Sequence, residues 1–313
     1  MHERNLGSSG LRISQVGIGC NNFGGRIDTA ATGRVIDKAI DLGITFFDTA
    51  DMYSNRGGSE TAMGEVLKGG KRQKIVLATK CGMLMDEAGK MKGASRRYIM
   101  SAVEASLKRL QTDYIDLYQV HQVDPLTPME ETLRTLDDLV RSGKVRYIGL
   151  SNHPAWMVVE AQEIARRCNL NRFVSCQDEY SLLVRDADRE LMPMMSRYGL
   201  GLLPYFPLAC GLLTGKYSRN NMPAGARITE TKRWADKYIN ERNWRVTEEL
   251  GAFAKGRGHT LLDLAFSWLL AQPNVSSVIA GATSPEQVEA NVKAASWQLS
   301  AEELSEVDRI TTS

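Results

Sequence analysis

Ile75-Val76-Leu77-Ala78-Thr79-Lys80, a helical stretch from Arg96 to Leu110, then Ile115-Asp116-Leu117-Tyr118-Gln119-Val120-His121: this segment decides the fold. The two flanking runs are almost continuously apolar, as strands are when a parallel sheet is covered on both faces. The stretch between them carries Ile99, Val103 and Leu107 near helical spacing. Strand, helix and strand in that order make a parallel βα unit. Each strand runs into a polar residue, Lys80 and His121.

Outward from this unit the pattern repeats. Apolar runs lie at 16–19, 44–47, 75–79, 115–120, 145–150, 174–177, 201–205 and 277–280. Eight strands alternating with helices predict an α/β fold, a (β/α)8 TIM barrel, since eight is the count that closes one. Helix starts are marked by Thr127-Pro128-Met129-Glu130, read as a capping box, and by the similar Ser284-Pro285-Glu286-Gln287 and Ser300-Ala301-Glu302-Glu303. A Gly-Ser turn between Asn5 and Ile13 predicts an N-terminal β-hairpin plugging the barrel's N-terminal end. A long, partly helical insertion separates strands seven and eight, with a loop near 216–228 and helices at 244–256 and 261–271. Insertions of that size on a barrel loop are often lids. No linker or repeat divides the chain, so 1–313 reads as a single barrel domain.

The bulk composition excludes several classes of function. A hydrophobic content of 43% and a charged content of 24% belong to an ordinary globular chain. A net charge of +2 offers no electrostatic footprint for nucleic acid or a membrane surface. No apolar stretch approaches the ~18 residues that a bilayer span needs. The start, Met1-His2-Glu3-Arg4-Asn5, lacks the apolar core of a signal peptide. The five cysteines, Cys20, Cys81, Cys168, Cys176 and Cys210, are scattered, with no C-x-x-C pair. These features predict reduced thiols and a cytoplasmic location.

Chemistry in such barrels gathers at the C-terminal ends of the strands. Asp48 ends the second run, Tyr53 follows in the next loop, and Lys80 and His121 end the third and fourth. A tyrosine with a reference pKa near 10 is a poor acid at neutral pH. A neighbouring Lys80 ammonium is expected to lower that value, with Asp48 holding the lysine charged. His121 can supply a second hydrogen bond to a carbonyl oxygen. Singly, each has an ordinary structural role: a solvated strand end, a turn cap, a core histidine. Together, at three successive strand ends, they are far more specific.

Phe46-Phe47-Asp48-Thr49-Ala50-Asp51-Met52-Tyr53, Ala78-Thr79-Lys80 and His121 resemble the Asp, Tyr, Lys, His tetrad of the aldo-keto reductase superfamily. The resemblance continues through Ile148-Gly149-Leu150-Ser151-Asn152, Gln177-Asp178-Glu179-Tyr180, the segment 205–217 and the segment 279–291. Leu213-Thr214-Gly215-Lys216-Tyr217 is more similar to bacterial reductases related to potassium-channel β subunits than to aldose reductases. The resemblance implies hydride transfer between NADPH and an aldehyde or ketone, with Tyr53 as general acid and base. It implies Ser151, Asn152 and Gln177 on the nicotinamide carboxamide and Tyr205 stacked on its ring. Phe206, Pro207, Leu208, Cys210 and Gly211, with Lys216, would follow the pyrophosphate, and Arg227 the adenosine end. Gly281, Thr283, Gln287 and Asn291, at the last barrel helix, would hold the ribose phosphate and adenine. A helix N-terminus suits an anion through its unpaired N–H groups. No G-x-G-x-x-G fingerprint is present, so a Rossmann-type site is not expected.

Gly281 and Gln287 stand where many members of the superfamily carry a lysine and an arginine that select the 2′-phosphate of NADPH. The resemblance to the channel-subunit branch, which recruits cations from the long loop, implies that Lys216 and Arg227 compensate, so NADPH is favoured, with NADH the alternative. Asp178 stands where asparagine is more usual, and His153 where an aromatic is common. Asn21, Asn22, Met52 and Met83 are read as the substrate-pocket wall. An alternative function is an NADP(H)-binding redox sensor or regulatory subunit with incidental turnover; the complete tetrad argues for catalysis. A metal-dependent hydrolase would need several histidines or carboxylates at strand ends. Of the four histidines only His121 and His153 lie near such ends, so no metal is expected.

Overall fold

All eight apolar runs form strands, and consecutive strands are parallel neighbours. In the computed structural model, which describes residues 1–312, β1 (Glu3–Asn5) and β2 (Arg12–Ser14) make the antiparallel N-terminal hairpin. The barrel strands are β3 (Val16–Gly19), β4 (Phe46–Asp48), β5 (Val76–Cys81), β6 (Ile115–Val120), β7 (Val145–Ser151), β8 (Ser175–Gln177), β9 (Gly201–Leu202) and β10 (Val278–Gly281). They neighbour one another in chain order, and β10 pairs with β3. Main-chain bonds close the remaining gap. The Leu202 N–H donates to the Asn274 carbonyl at 2.6 Å, and the Ser276 N–H donates to the Leu202 carbonyl at 3.0 Å.

The covering helices are α1 (Thr29–Asp41), α2 (Tyr53–Val66), α3 (Arg96–Leu110), α4 (Met129–Arg141), α5 (Ala155–Arg167) and α6 (Leu191–Tyr198). The insertion after β9 holds a 3-10 turn (Ala209–Thr214), α7 (Arg227–Glu230), α8 (Lys232–Tyr238) and α9 (Glu241–Lys255). α10 (Leu261–Ala271), α11 (Pro285–Ala294) and α12 (Ala301–Thr312) complete the chain. Helix α12 begins with the expected capping box: Ser300 and Glu303 each accept from the other's backbone N–H, at 3.2 and 2.9 Å. The Thr127 capping box does not form. Thr127 spends its hydroxyl proton on Asp124 at 2.7 Å, Pro128 takes the cap position and no side chain caps α4. Asp124 also accepts from the backbone N–H groups of Ala94 and Leu126, so a stronger local acceptor captures the threonine.

The hairpin plugs the barrel floor. Leu6 and Ile13 are fully buried among Phe46, Ala78, Leu117, Leu203 and Ile279. Burying each such side chain is worth about 1.5–3 kcal/mol. Strand side chains alternate with a period of two. The parity that points Phe46, Ala78 and Leu117 into this layer therefore brings Asp48, Lys80 and Gln119 into the barrel one layer higher. Gly149 leaves the space Gln119 occupies: a side-chain carbon there would lie 3.1 Å from Gln119 Cγ and 2.5 Å from Ser175 Oγ.

Candidate active site

The strands β4, β5 and β6 deliver their terminal polar residues to one point. Lys80, fully buried, donates from Nζ to Asp48 Oδ2 at 2.6 Å, to the Thr49 carbonyl at 2.7 Å and to the Tyr53 hydroxyl at 3.4 Å. The three ammonium protons have three acceptors. The other carboxylate oxygen of Asp48 accepts from Gln119 Nε2 at 3.0 Å and Gln177 Nε2 at 2.9 Å. His121 meets the Tyr53 ring edge-on, with centroids 5.8 Å apart, and its Nδ1 is buried without a partner. Gln119 is one site residue that the sequence did not single out.

The electrostatics correct one expectation. Enclosure by protein raises the Tyr53 hydroxyl above its usual pKa; Lys80 opposes this and does not overcome it. Tyr53 is therefore held as the neutral phenol, a donor. Burial works to lower the Lys80 ammonium, but Asp48 and Tyr53 prevail and raise it. Burial, with Lys80 adding to it, pushes the His121 imidazole well below its ordinary value, so the ring is neutral at physiological pH.

Tyr53 is presented by an unusual turn. It opens α2, and Ser54, Asn55, Arg56 and Gly57 then all take left-handed backbone angles, φ 52, 59, 64 and 112°. Such strain persists only where surrounding structure holds it. Ser54 Oγ donates to the Phe23 carbonyl at 2.7 Å. A side-chain carbon at Gly57 would lie 2.5 Å from Arg109 Cδ, so α3 packs directly on the turn.

Across the mouth lie the residues that the resemblance assigns to a nucleotide. Asn152, itself left-handed at φ 58°, donates from Nδ2 to the His121 carbonyl at 2.9 Å and to Ser151 Oγ at 3.0 Å. Its Oδ1 accepts from the Tyr205 hydroxyl at 2.8 Å, and Ser151 Oγ donates to the Gln177 carbonyl at 2.8 Å. Tyr205 meets Phe206 edge-on, and Phe206 meets Trp234 of α8. Pro207 and Leu208 lead into the 3-10 turn, where Cys210 and Gly211 are left-handed. Arg227 donates to Asn22 Oδ1 at 3.0 Å and Asn21 Oδ1 at 3.4 Å. Gly281 lies beside this cluster: a side-chain carbon there would lie 3.2 Å from Asn22 Nδ2. Met52 and Met83, both half-buried, stand next to Tyr53 and after β5. Thr283 donates from its backbone N–H and its hydroxyl to Gln287 Oε1 at 2.8 and 3.2 Å, while Ser284 leaves the start of α11 uncapped.

The aldo/keto reductase family model matches residues 15–312. The chain belongs to that family. An oxidoreductase of Bacillus subtilis, YrpG, is 39% identical over 95% of this chain and 92% of its own. A probable voltage-gated potassium channel subunit beta of Oryza sativa is 37% identical, over 94% of this chain and 91% of its own. The L-glyceraldehyde 3-phosphate reductase of Escherichia coli is 34% identical over 99% and 92%. This aldo/keto reductase is an NAD(P)H-dependent oxidoreductase. No helix among the described residues is long and apolar enough to cross a membrane.

The residues present fit a dinucleotide. Lys216 lies close enough to Arg26 and Arg227 that burial and both guanidiniums depress its pKa. Three cations drawn together are suited to a pyrophosphate or a ribose phosphate. Arg26, which donates to the Gly225 carbonyl at 2.5 Å, was absent from the sequence reading. Asn291 Nδ2 is buried without a partner, a donor free for a base nitrogen. Gln177 spends its Nε2 on Asp48, leaving its oxygen for an amide donor.

Proposed function

We propose that the protein reduces aldehydes or ketones to alcohols with NADPH, Tyr53 acting as the general acid and, in the reverse direction, as the base. The observation that carries this is the Lys80 ammonium bridging Asp48 and Tyr53 at the mouth. When bound, the reduced cofactor supplies a hydride to the carbonyl carbon. Tyr53 passes its phenolic proton to the carbonyl oxygen as negative charge develops there. Lys80 stabilises the resulting phenolate, and Asp48 with Gln119 keeps the lysine oriented. Neutral His121 donates a ring N–H to the same oxygen. Ser151, Asn152, Gln177 and Tyr205 seat the nicotinamide end, and Met52 and Met83 line the substrate side. Arg26, Lys216 and Arg227 support NADPH over NADH. Five unpaired cysteines support a reducing, cytoplasmic compartment.

The test is consumption of NADPH and of NADH against a panel of aldehydes, ketones, sugars and phosphorylated aldehydes. Turnover with NADPH, weakened far more than NADH turnover by Arg227→Ala, is the expected result. A second function, redox sensing or regulation through bound nucleotide, is favoured by the name of the rice relative. Tight nucleotide binding with no turnover on any carbonyl would select it.

A further inference from the structure

Behind the tetrad, on the outer face of β5, lies an acidic pair that the proposed chemistry does not use. Asp51 and Glu60 are buried, 1% and 0% exposed, and share one cation. Glu60 is satisfied: Arg109 Nε donates to it at 2.7 Å and the Thr79 hydroxyl at 2.6 Å. Asp51 is not. Its Oδ1 is buried without a partner, and Oδ2 lies 3.3 Å from the Tyr98 hydroxyl. That hydroxyl also lies 3.4 Å from the Met83 carbonyl, which has no other hydrogen-bond donor among the described residues. A phenol has one proton. It cannot be given to Asp51 and to Met83 together.

We propose that Asp51 and Tyr98 form a proton-operated clasp on the loop after β5. With Asp51 protonated, the carboxyl donates to Tyr98 and Tyr98 donates to the Met83 carbonyl, holding the loop. With Asp51 ionised, Tyr98 turns its proton to the carboxylate and the Met83 peptide is released. Neighbouring bonds confine the movement. The loop is pinned by Gly93 N–H to the Gly82 carbonyl at 2.9 Å and by Met85 N–H to the Met91 carbonyl at 2.8 Å. Met83 stands between these anchors, so its peptide swings while the loop's base stays.

The surroundings favour titration near neutrality. Burial pushes the Asp51 carboxyl up to about 7; Glu60 on α2 adds to this and Arg109 on α3 opposes it. The other titratable groups facing it are Tyr98 on α3, Cys81 on β5 and Tyr118 on β6, all raised by burial and so neutral. Ionising Asp51 thus leaves two buried carboxylates to one guanidinium. Such a charge is costly unless it recruits a donor. Beyond the Met52 backbone N–H, Tyr98 is the side-chain donor within reach.

The consequence for substrate rests on Met83 lining the pocket, but the loop can be followed without turnover. Hydrogen exchange of residues 82–93 in the full chain, corrected for the intrinsic rate, is compared at about pH 6 and about pH 8, either side of the Asp51 titration. Wild type should lose about three- to tenfold protection at the higher pH, the worth of one hydrogen bond. Asp51→Asn, whose amide donates to Tyr98 at every pH, should stay protected at both. Tyr98→Phe should be unprotected at both, and decides the matter if Asp51→Asn does not fold. KM for 4-nitrobenzaldehyde should follow the same pattern. The same pH dependence in wild type and Asp51→Asn, or a pH-dependent loop in Tyr98→Phe, overturns the clasp. A protein that turns over no carbonyl but shows the exchange pattern overturns the proposed function and leaves the clasp standing.

Discussion

Gln177 donates its side-chain amide to Asp48 Oδ1 at 2.9 Å, a bond that crosses the barrel from β8 to β4. It joins a residue assigned to the nicotinamide to the carboxylate that orients Lys80. Gln119 donates to the same oxygen from β6 at 3.0 Å. The two amides should therefore separate by their kinetics. Gln119→Leu is predicted to lower kcat about tenfold with little change in cofactor affinity, as loss of an orienting partner does. Gln177→Leu should weaken nicotinamide binding as well. Steady-state kinetics with cofactor titration check both. Identical profiles for the two variants would contradict the division of roles.

The Lys80–Asp48 pair is buried, so removing one partner should cost more than removing both. Lys80→Met strands the Asp48 carboxylate and is predicted to destabilise the fold by about 3–5 kcal/mol. The double variant Asp48→Asn with Lys80→Met should recover most of that loss in urea unfolding. Activity should return in neither. Recovery of turnover in the double variant would mean that the ammonium is structural only.

Two side chains of helix α8 converge on one carboxylate. Glu179, half-buried after β8, accepts from the Tyr238 hydroxyl at 2.5 Å and pairs with Lys237. An aromatic contact also ties α8 to the Tyr205–Phe206 floor, Trp234 on Phe206 with ring centroids 4.8 Å apart. Glu179→Gln weakens a charge-assisted bond. It is predicted to speed release of bound NADPH about tenfold in stopped-flow fluorescence, with a smaller effect on its association. An unchanged release rate would show that α8 does not cover the nucleotide.

Asp178 gives a stability signature against pH. Its Oδ2 is buried without a partner, and burial pushes the carboxyl up to about 7. A raised folded-state value means that the folded protein binds the proton more tightly than the unfolded chain. The associated stability is full below the unfolded value, near 4, and is lost as pH rises through about 7. Asp178→Asn should therefore be more stable than wild type by about 1–3 kcal/mol at about pH 8, and the gap should narrow towards pH 4. A gap that does not depend on pH would rule out the titration.

Much of the barrel was legible because parallel strands covered on both faces leave dense apolar runs, and the tetrad because its members sit where those runs end. Gln119 escaped notice inside such a run. Its parity with Leu117 and His121, all inward, was the available signal. The helices α7 and α8 are too short to announce themselves; α8 is held by tertiary contacts, Trp234 on Phe206 and Tyr238 on Glu179. Thr127 had the right neighbours for a cap, but Asp124 was a better acceptor within reach. Arg26 lies 190 positions before Lys216 (216 − 26), and only barrel closure brings the two together. The sign of the Tyr53 shift depended on how much water the fold excludes, which residue order does not reveal.

The central claim is that the Tyr53 hydroxyl moves the proton. Single-turnover reduction of an aldehyde by NADPH already bound to the enzyme, wild type against Tyr53→Phe, tests it most directly. Tyr53→Phe should bind NADPH as wild type does and transfer hydride about 10²–10⁴-fold more slowly, the contribution of a positioned general acid. Hydride transfer at the wild-type rate in Tyr53→Phe would contradict the mechanism.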